Sequence, residues 1–374
     1  MRVTRTFRLA CICLTALVST PVLADLYRVT PIPLGPFSGG NYFNTYDLNN
    51  AGQVVGGGDA AGRDRGWLWN GGELTIVSPL GGGAAELAAI NSAGLAVGSS
   101  TINGNLDFHA VLWDGSHMKD LGLPPGASSS IGRAINDNGQ VVVEGRFANG
   151  AVRAYLWNGA SFIDIGTLGA PVMRATDINL AGHVTGYSRA TPNGVNSAVV
   201  WNGSTLIDLG SLVPDRRSSN AEAINNAGQV AGWAQVDWGY SQAFLWEGST
   251  AINLGTLGGL IAAAYDVNNR GQVVGFSNTV SLGASHAFLW DRAQGGMLDL
   301  NSYLESPGDW LIEQAFQIND AGQIVARGEN LVTGEYYENL LLTPVPEPAT
   351  AALWLAGLAL LLTARAARRP TTAA

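Results

Sequence analysis

Cysteine, lysine and histidine are almost absent from this 374-residue chain. Its two cysteines, Cys11 and Cys13, lie in an N-terminal leader, so the remainder can form neither disulfide bonds nor cysteine metal sites. The sequence also lacks a phosphate loop and the Gly-x-Ser-x-Gly and His-Glu-x-x-His motifs. We therefore assign no cofactor, metal ligand or catalytic residue. The four histidines show no metal-ligand spacing: His109, His117, His183 and His286.

Basic residues are scarce between the two ends of the chain. The whole chain has 20 basic and 29 acidic residues; six basic residues but only one acidic residue, Glu347, lie in residues 1–24 and 345–374. The remainder has 14 basic and 28 acidic residues, a net charge near −14, with Lys119 as its only lysine. Nucleic-acid binding needs a basic surface, so we exclude nucleic acid as a partner.

Residues 1–24 have the pattern of a secretory signal peptide. Arg2, Arg5 and Arg8 precede an apolar run from Leu9 to Val18, and a small-residue cleavage site ends at Ala24. We expect the export machinery to recognise this segment and the following body to face outward.

The C-terminal segment, residues 345–369, combines the motif Pro346-Glu347-Pro348, an apolar run over residues 349–364 and a basic flank of Arg365, Arg368 and Arg369, followed by a tail at 370–374. The run predicts a membrane helix of roughly 24 Å, and composition alone leaves an ordinary single-span anchor open. The order of the elements resembles the PEP-CTERM sorting signal. That resemblance implies an exosortase-like sorting enzyme, a Gram-negative source and delivery to the cell envelope, outer surface or extracellular matrix, with transient or retained inner-membrane anchoring. Its residues are Pro346, Glu347, Pro348, Arg365, Arg368 and Arg369.

Between the ends, an Asn-x-x-Gly tetrad recurs every 42 to 51 residues. This period matches the ~40–45 residues of a four-stranded propeller blade. Residues 25–344 are therefore predicted to form an all-β, seven-bladed β-propeller; a sandwich or a solenoid of the same hairpins is less favoured. The asparagines suit hairpin turns, although a ligand-binding ring is an alternative. They are Asn49, Asn91, Asn136, Asn179, Asn225, Asn268 and Asn319.

A second marker is an apolar residue and tryptophan followed by a turn, which indicates the end of a third strand. Six large aromatics at one repeat position favour packing between blades over a set of sugar-binding platforms. These residues are Trp69, Trp113, Trp157, Trp201, Trp246 and Trp290.

The seventh repeat lacks a fourth strand before Pro344, whereas Leu26 to Gly35 has the pattern of one. We predict that this N-terminal strand pairs with the last repeat and closes the ring, which removes an exposed sheet edge.

The repeats also share a short motif before the tryptophan and another after the fourth strand. Ser285 to Trp290 contains His-Ala-Phe, Gln242 to Trp246 has Gln-Ala-Phe, and Leu-Gly-Thr-Leu-Gly-Gly follows at Leu254 to Gly259. These motifs resemble the bacterial extracellular HAF repeat family. The resemblance implies an extracellular location and says little about chemistry.

The connections between second and third strands vary most, and variable loops on a rigid scaffold often bind ligands. Asp237, Trp238 and Tyr240 are the preferred binding residues, because an aromatic beside a carboxylate suits a sugar ring; the alternative is that these aromatics pack down onto the blade. The sequence predicts a non-catalytic envelope or matrix protein that binds polysaccharide or a surface protein. The alternative is a polysaccharide lyase or glycosidase on the same scaffold.

Overall fold

The computed structural model describes residues 26–33, 35–37, 40, 42–81, 83–102, 107–210, 218–237, 239–280 and 284–345. These residues form strands, turns and two 3₁₀ turns, Gly35–Phe37 and Leu300–Tyr303, and contain no α-helix. None of their elements is a helix that could cross a membrane. The predicted signal peptide, the C-terminal apolar helix and the sorting motif lie outside the described residues.

The described strands number 28 and form seven antiparallel four-stranded sheets. Strand β1 (Leu26–Pro31) comes first and joins the last sheet. This arrangement confirms the predicted seven-bladed β-propeller of four-stranded blades. The blades are β2 (Phe43–Leu48), β3 (Val54–Asp59), β4 (Asp64–Asn70) and β5 (Glu73–Val77); β6 (Ala85–Ile90), β7 (Ala96–Thr101), β8 (Phe108–Trp113) and β9 (Met118–Gly122); β10 (Ser129–Ile135), β11 (Val141–Arg146), β12 (Val152–Trp157) and β13 (Phe162–Asp164); β14 (Met173–Ile178), β15 (Val184–Ser188), β16 (Ser197–Trp201) and β17 (Leu206–Gly210); β18 (Ser219–Ile224), β19 (Gln229–Asp237), β20 (Tyr240–Glu247) and β21 (Thr250–Gly255); β22 (Gly258–Val267), β23 (Val273–Thr279), β24 (Ser285–Asp291) and β25 (Gly296–Asp299); and β26 (Trp310–Ile318), β27 (Ile324–Asn330) and β28 (Glu335–Val345) with β1.

Each Asn-x-x-Gly tetrad makes the turn between the first and second strands of a blade. In blade 5, the Gly228 N–H donates to the carbonyl of Asn225 at 3.0 Å, and Gly228 has a φ of 79°. That backbone conformation strains any residue with a Cβ, which explains the glycine. The turn therefore sets the register of the hairpin.

The ring closes through β1. Its six residues pair antiparallel with β28, from Leu26 opposite Val345 to Pro31 opposite Leu340. Tyr27 is buried in the cluster that also contains Leu340 and Leu342. The N-terminal strand is thus the fourth strand of blade 7, as predicted.

The hydrophobic core lies mainly between neighbouring blades. Trp157, at the end of the third strand of blade 3, packs in one cluster with Ala110 and Leu121 of blade 2. Trp201 of blade 4 packs with Leu156 of blade 3 in the same way. All six repeat tryptophans are buried. Burial of such large rings stabilises the blade interfaces and keeps the ring in one geometry.

Alternation of strand direction gives the ring two different faces. The turn face carries the turns after first and third strands, and Leu26 and Val345 lie at this end of blade 7. The mouth face carries the loops between second and third strands and the connections from blade to blade. Residues of the seven first strands line a central channel between the faces.

Candidate functional site

The seven repeat asparagines form a closed ring of hydrogen bonds at the turn-face end of the channel. Each side-chain amide donates to the backbone carbonyl of the corresponding asparagine in the next blade, and Asn319 donates to Asn49 at 2.9 Å, which completes the circle. The Oδ1 of Asn225 also accepts from the N–H groups of Ala227 and Gln229. The amide and carbonyl groups are therefore engaged in the scaffold, which supports the turn interpretation over a ligand ring.

Three aspartates link neighbouring blades further along the channel. Asp177 accepts from the N–H of Ile178 at 2.7 Å and from the N–H of Ile224 in the next blade at 2.8 Å. Asp47 and Asp266 make the equivalent pairs of bonds. Burial raises the pKa of Asp47 to about 6 and of Asp177 to about 7, and it holds the pKa of Asp266 well above its usual range. Burial therefore favours the protonated, neutral form of these carboxyl groups.

A β-bulge occurs in the first strand of every blade, near the position three residues before the repeat asparagine. A bulge turns a side chain away from the regular alternation of a strand. Here the bulge position lies on the channel. Its residue differs from blade to blade, while the asparagine and the apolar residue before it persist: Tyr46, Ala88, Arg133, Thr176, Glu222, Tyr265 and Phe316.

These residues surround a cavity of about 530 Å³ at the mouth-face end of the channel, which we call the channel mouth. Three further positions contribute charged side chains, Glu86 on β6, Glu144 on β11 and Arg174 on β14. The volume lies within the roughly 300–1,000 Å³ of pockets that bind small molecules. The channel mouth is therefore the candidate binding site.

Three of the four aromatic residues that line the channel mouth form one sector, and the fourth, Tyr187, lies in blade 4. Tyr265 of blade 6 stacks on Phe316 of blade 7, with ring centroids 5.9 Å apart and an interplanar angle of 26°. Tyr46 continues the sector in blade 1. Burial raises the pKa of the Tyr265 phenol to about 12, and the Glu222 carboxylate adds to that shift. The sector thus offers apolar ring surface with phenol groups that stay protonated.

Arginines occupy the opposite sector and share one buried carboxylate. Glu144, whose side chain is 1% exposed, lies 3.3 Å from Arg133, 3.2 Å from Arg146 and 3.4 Å from Arg174. A buried carboxylate needs such partners, because an unpaired charge in this position would be strongly destabilising. The network fixes the guanidinium groups at the edge of the cavity.

A carboxylate lies on each side of the aromatic sector, Glu222 in blade 5 and Glu86 in blade 2. The Trp233 Nε1–H donates to Glu222 at 2.9 Å. Burial raises the pKa of both carboxyl groups; the bond from Trp233 opposes the shift at Glu222, and the charge of Arg133 opposes it at Glu86. The site therefore combines ring surface, two partly buried carboxyl groups and two arginines.

Asp237 and Tyr240, two of the three binding residues predicted from the sequence, are not among the described residues that line the channel mouth. Asp237 ends β19 and pairs with Tyr240 at the start of β20, in a tight connection on the mouth face. Tyr240 is 38% exposed. Trp238 lies outside the described residues. The structure thus places Asp237 and Tyr240 on the predicted face, and their binding role stays a prediction.

Sequence reasoning missed the channel mouth, although a signal for it was present. Within a repeat whose asparagine, glycine and tryptophan recur, the bulge position changes between aromatic, basic, acidic and small residues. Variation at one position of an otherwise regular repeat marks a site that the scaffold does not determine.

Comparison with protein-family models finds the PEP-CTERM protein-sorting motif over residues 344–369. This match supports recognition by an exosortase-type sorting enzyme and export to the envelope of a Gram-negative bacterium. No curated protein matches the sequence significantly. The resemblance of the repeats to the HAF family stays a prediction.

Solved structures resemble the chain at low sequence identity. The β-propeller domain of the Trilobed protease from Pyrococcus furiosus, described as having an open velcro topology, is 10% identical with a TM-score of 0.53; the match covers 82% of this chain and 95% of that one. A puromycin-hydrolyzing peptidase from Mycobacterium tuberculosis is 12% identical with a TM-score of 0.51, over 84% of this chain and 56% of the peptidase. These similarities support the fold alone.

Proposed function

We propose that this protein is an exported, non-catalytic β-propeller of the cell envelope or extracellular matrix that binds polysaccharide at its channel mouth. The carrying observation is the set of variable bulge residues that face an open cavity inside a regular scaffold. Sugar rings present an apolar face and several hydroxyl groups. The aromatic sector can pack against the apolar face of a sugar ring, and the carboxyl and guanidinium groups can form hydrogen bonds with its hydroxyl groups.

A glycan array with residues 25–345 tests the binding proposal. This fragment contains all seven sheets and the strand that closes the ring. We expect the fragment to bind polysaccharide on the array. We also expect it to release no reducing ends from that polysaccharide in a separate reducing-end assay. Capture of a surface protein instead would assign a different ligand. Turnover that disappears when one channel carboxylate is changed would contradict the non-catalytic proposal and favour a lyase or glycosidase.

A pair of variants locates the site. Tyr46→Ala removes an aromatic ring from the channel mouth and is expected to weaken binding about tenfold, since buried aromatic contacts often dominate affinity. Tyr240→Ala removes an exposed ring from the loop predicted by the sequence and is the matched control. Loss of binding with Tyr240→Ala and none with Tyr46→Ala would place the ligand on the loop instead.

A further inference from the structure

The order of residues around the channel mouth supports a narrower assignment, which rests on the proposed function. We infer that the ligand is a polysaccharide with free amino groups, and that the channel mouth binds a protonated amino-sugar unit. Its ring packs against the aromatic sector and its ammonium group contacts Glu222.

Side chains of different chemical type line different blades of the channel mouth. Three of the four aromatic residues of the lining lie in the adjacent blades 6, 7 and 1, whereas Tyr187 lies in blade 4; a carboxylate flanks the three on either side, Glu222 in blade 5 and Glu86 in blade 2. Glu222 is close enough to Tyr265, and Glu86 to Tyr46, for each carboxylate to raise the pKa of its neighbouring phenol. A ligand on the aromatic sector is therefore within reach of a carboxylate.

Each arginine of the site contacts a carboxylate, but Arg133, Arg146 and Arg174 share the single Glu144. Arg133 and Arg174 both contact the buried Glu144, on the side opposite the aromatic sector. Arg327 lies over the ring of Phe316 at 5.7 Å and pairs with Glu338 at 3.7 Å. The arginines can donate further hydrogen bonds to hydroxyl groups, but each has a carboxylate partner.

Glu222 differs from the other carboxylates of the site because its known partners are neutral. It accepts from Trp233 and interacts with Asn220, and within the described ranges no Arg, Lys or His forms an ion pair with it. Since burial raises its pKa, a cationic partner would stabilise the ionised form. An ammonium group, which donates up to three hydrogen bonds, meets that requirement.

The electrostatics of the whole body favour the same ligand. The body has a net charge near −14. Such a surface attracts cationic ligands and repels acidic polysaccharides over roughly one Debye length. A neutral N-acetylated sugar gains nothing from this field and leaves Glu222 without a cationic partner.

Two trisaccharides with the same sugar backbone distinguish a cationic amino-sugar ligand from a neutral N-acetylated one. Isothermal titration calorimetry at pH 6 compares the β-1,4-linked glucosamine trimer, whose amino groups are protonated, with its fully N-acetylated form. The glucosamine trimer should bind at least about tenfold more tightly, in line with hydrogen bonds to charged groups. Equal binding, or tighter binding of the N-acetylated trimer, would overturn the inference.

Glu222→Gln then tests the residue. It should reduce the preference for the glucosamine trimer over the N-acetylated trimer about tenfold. Glu73→Gln, which removes an exposed carboxylate on β5, controls for the loss of one negative charge. A preference that survives Glu222→Gln would overturn the assigned contact. Thermal melting verifies folding, and Glu86→Gln serves as a second variant with a smaller expected loss, because Arg133 already compensates Glu86.

The two proposals fail in different ways. If neither trimer binds but another polysaccharide on the array does, the amino-sugar inference is wrong and the proposed function stands. If no polysaccharide binds, both the amino-sugar inference and the proposed function are wrong.

Discussion

At Asn225, one side chain makes the turn of its own blade and a contact with the next. Its Oδ1 accepts from Ala227 and Gln229 at 3.1 and 3.0 Å, and its Nδ2 donates to the carbonyl of Asn268 at 2.9 Å. Asn225→Ala removes these bonds and leaves buried polar groups unpaired. We expect it to lower the free energy of unfolding by about 2–4 kcal/mol, as measured by urea denaturation.

Asn158 provides the matched control. It is an exposed turn asparagine whose Oδ1 accepts from the N–H groups of Ala160 and Ser161, and the described contacts join it to no neighbouring blade. Asn158→Ala should therefore cost about 1 kcal/mol or less. Equal losses at the two positions would mean that the bond from Asn225 to the next blade contributes nothing to stability.

The turn role of Asn225 could be predicted from the sequence, because an asparagine side chain bonds to its own local backbone. Its contact with Asn268 could not, since that carbonyl is 43 residues away and reaches Asn225 only when two blades pack side by side. The roles of Glu222 and Tyr265 at the channel mouth could not be predicted from the sequence for the same reason. Both lie at bulges, and a bulge depends on the register between strands rather than on one strand alone.

Strand β1 closes the ring by pairing with β28. Deleting residues 25–35 removes the fourth strand of blade 7, exposes the edge of β28 and takes Tyr27 out of a core cluster. We expect the melting temperature to fall by at least about 10 °C, or cooperative unfolding to disappear, because the ring then has an open edge. Differential scanning calorimetry measures either result.

A loop deletion of similar kind gives the comparison. Residues 191–194 form a largely exposed turn between β15 and β16, closed by the bond from the Gly194 N–H to the Thr191 carbonyl. Removing them should shift the melting temperature by about 3 °C or less, since loop shortening affects closure entropy only weakly. Comparable losses from both deletions would show that ring closure is not a main source of stability.

The seven-blade architecture could be predicted because its signals recur with a regular period and each signal is local. Closure by β1 also followed from the sequence, through counting: the last repeat lacks one strand and the N terminus has one spare. The channel mouth did not follow, because Tyr46 and Phe316 are about 270 residues apart in sequence and meet only when the ring closes. Its chemistry is a property of the assembled ring.

For the whole molecule, the position of the chain ends separates attachment from binding. Leu26 and Val345 pair on the turn face, and Pro344 lies against the turn at Gly322. Residues 346–348 reach at most about 11 Å before the apolar run begins. The sorting segment therefore starts at the turn face, and the channel mouth opens on the other side.

Single-cysteine variants test this orientation, because both native cysteines lie in the leader. Ala293→Cys is on the turn face of blade 6, whereas Val280→Cys is in the loop after β23 on its mouth face; both positions are exposed. When residues 25–345 are tethered to a bead through the C terminus, a polyethylene-glycol maleimide should react several-fold more slowly at residue 293 than in free protein, and at an unchanged rate at residue 280. Equal slowing at both would contradict the assignment of the termini to one face. Both positions are in blade 6, which adjoins blade 7, where the tether starts, so they lie at a similar lateral distance from the tether. The difference between their reaction rates therefore reports which face points away from the bead.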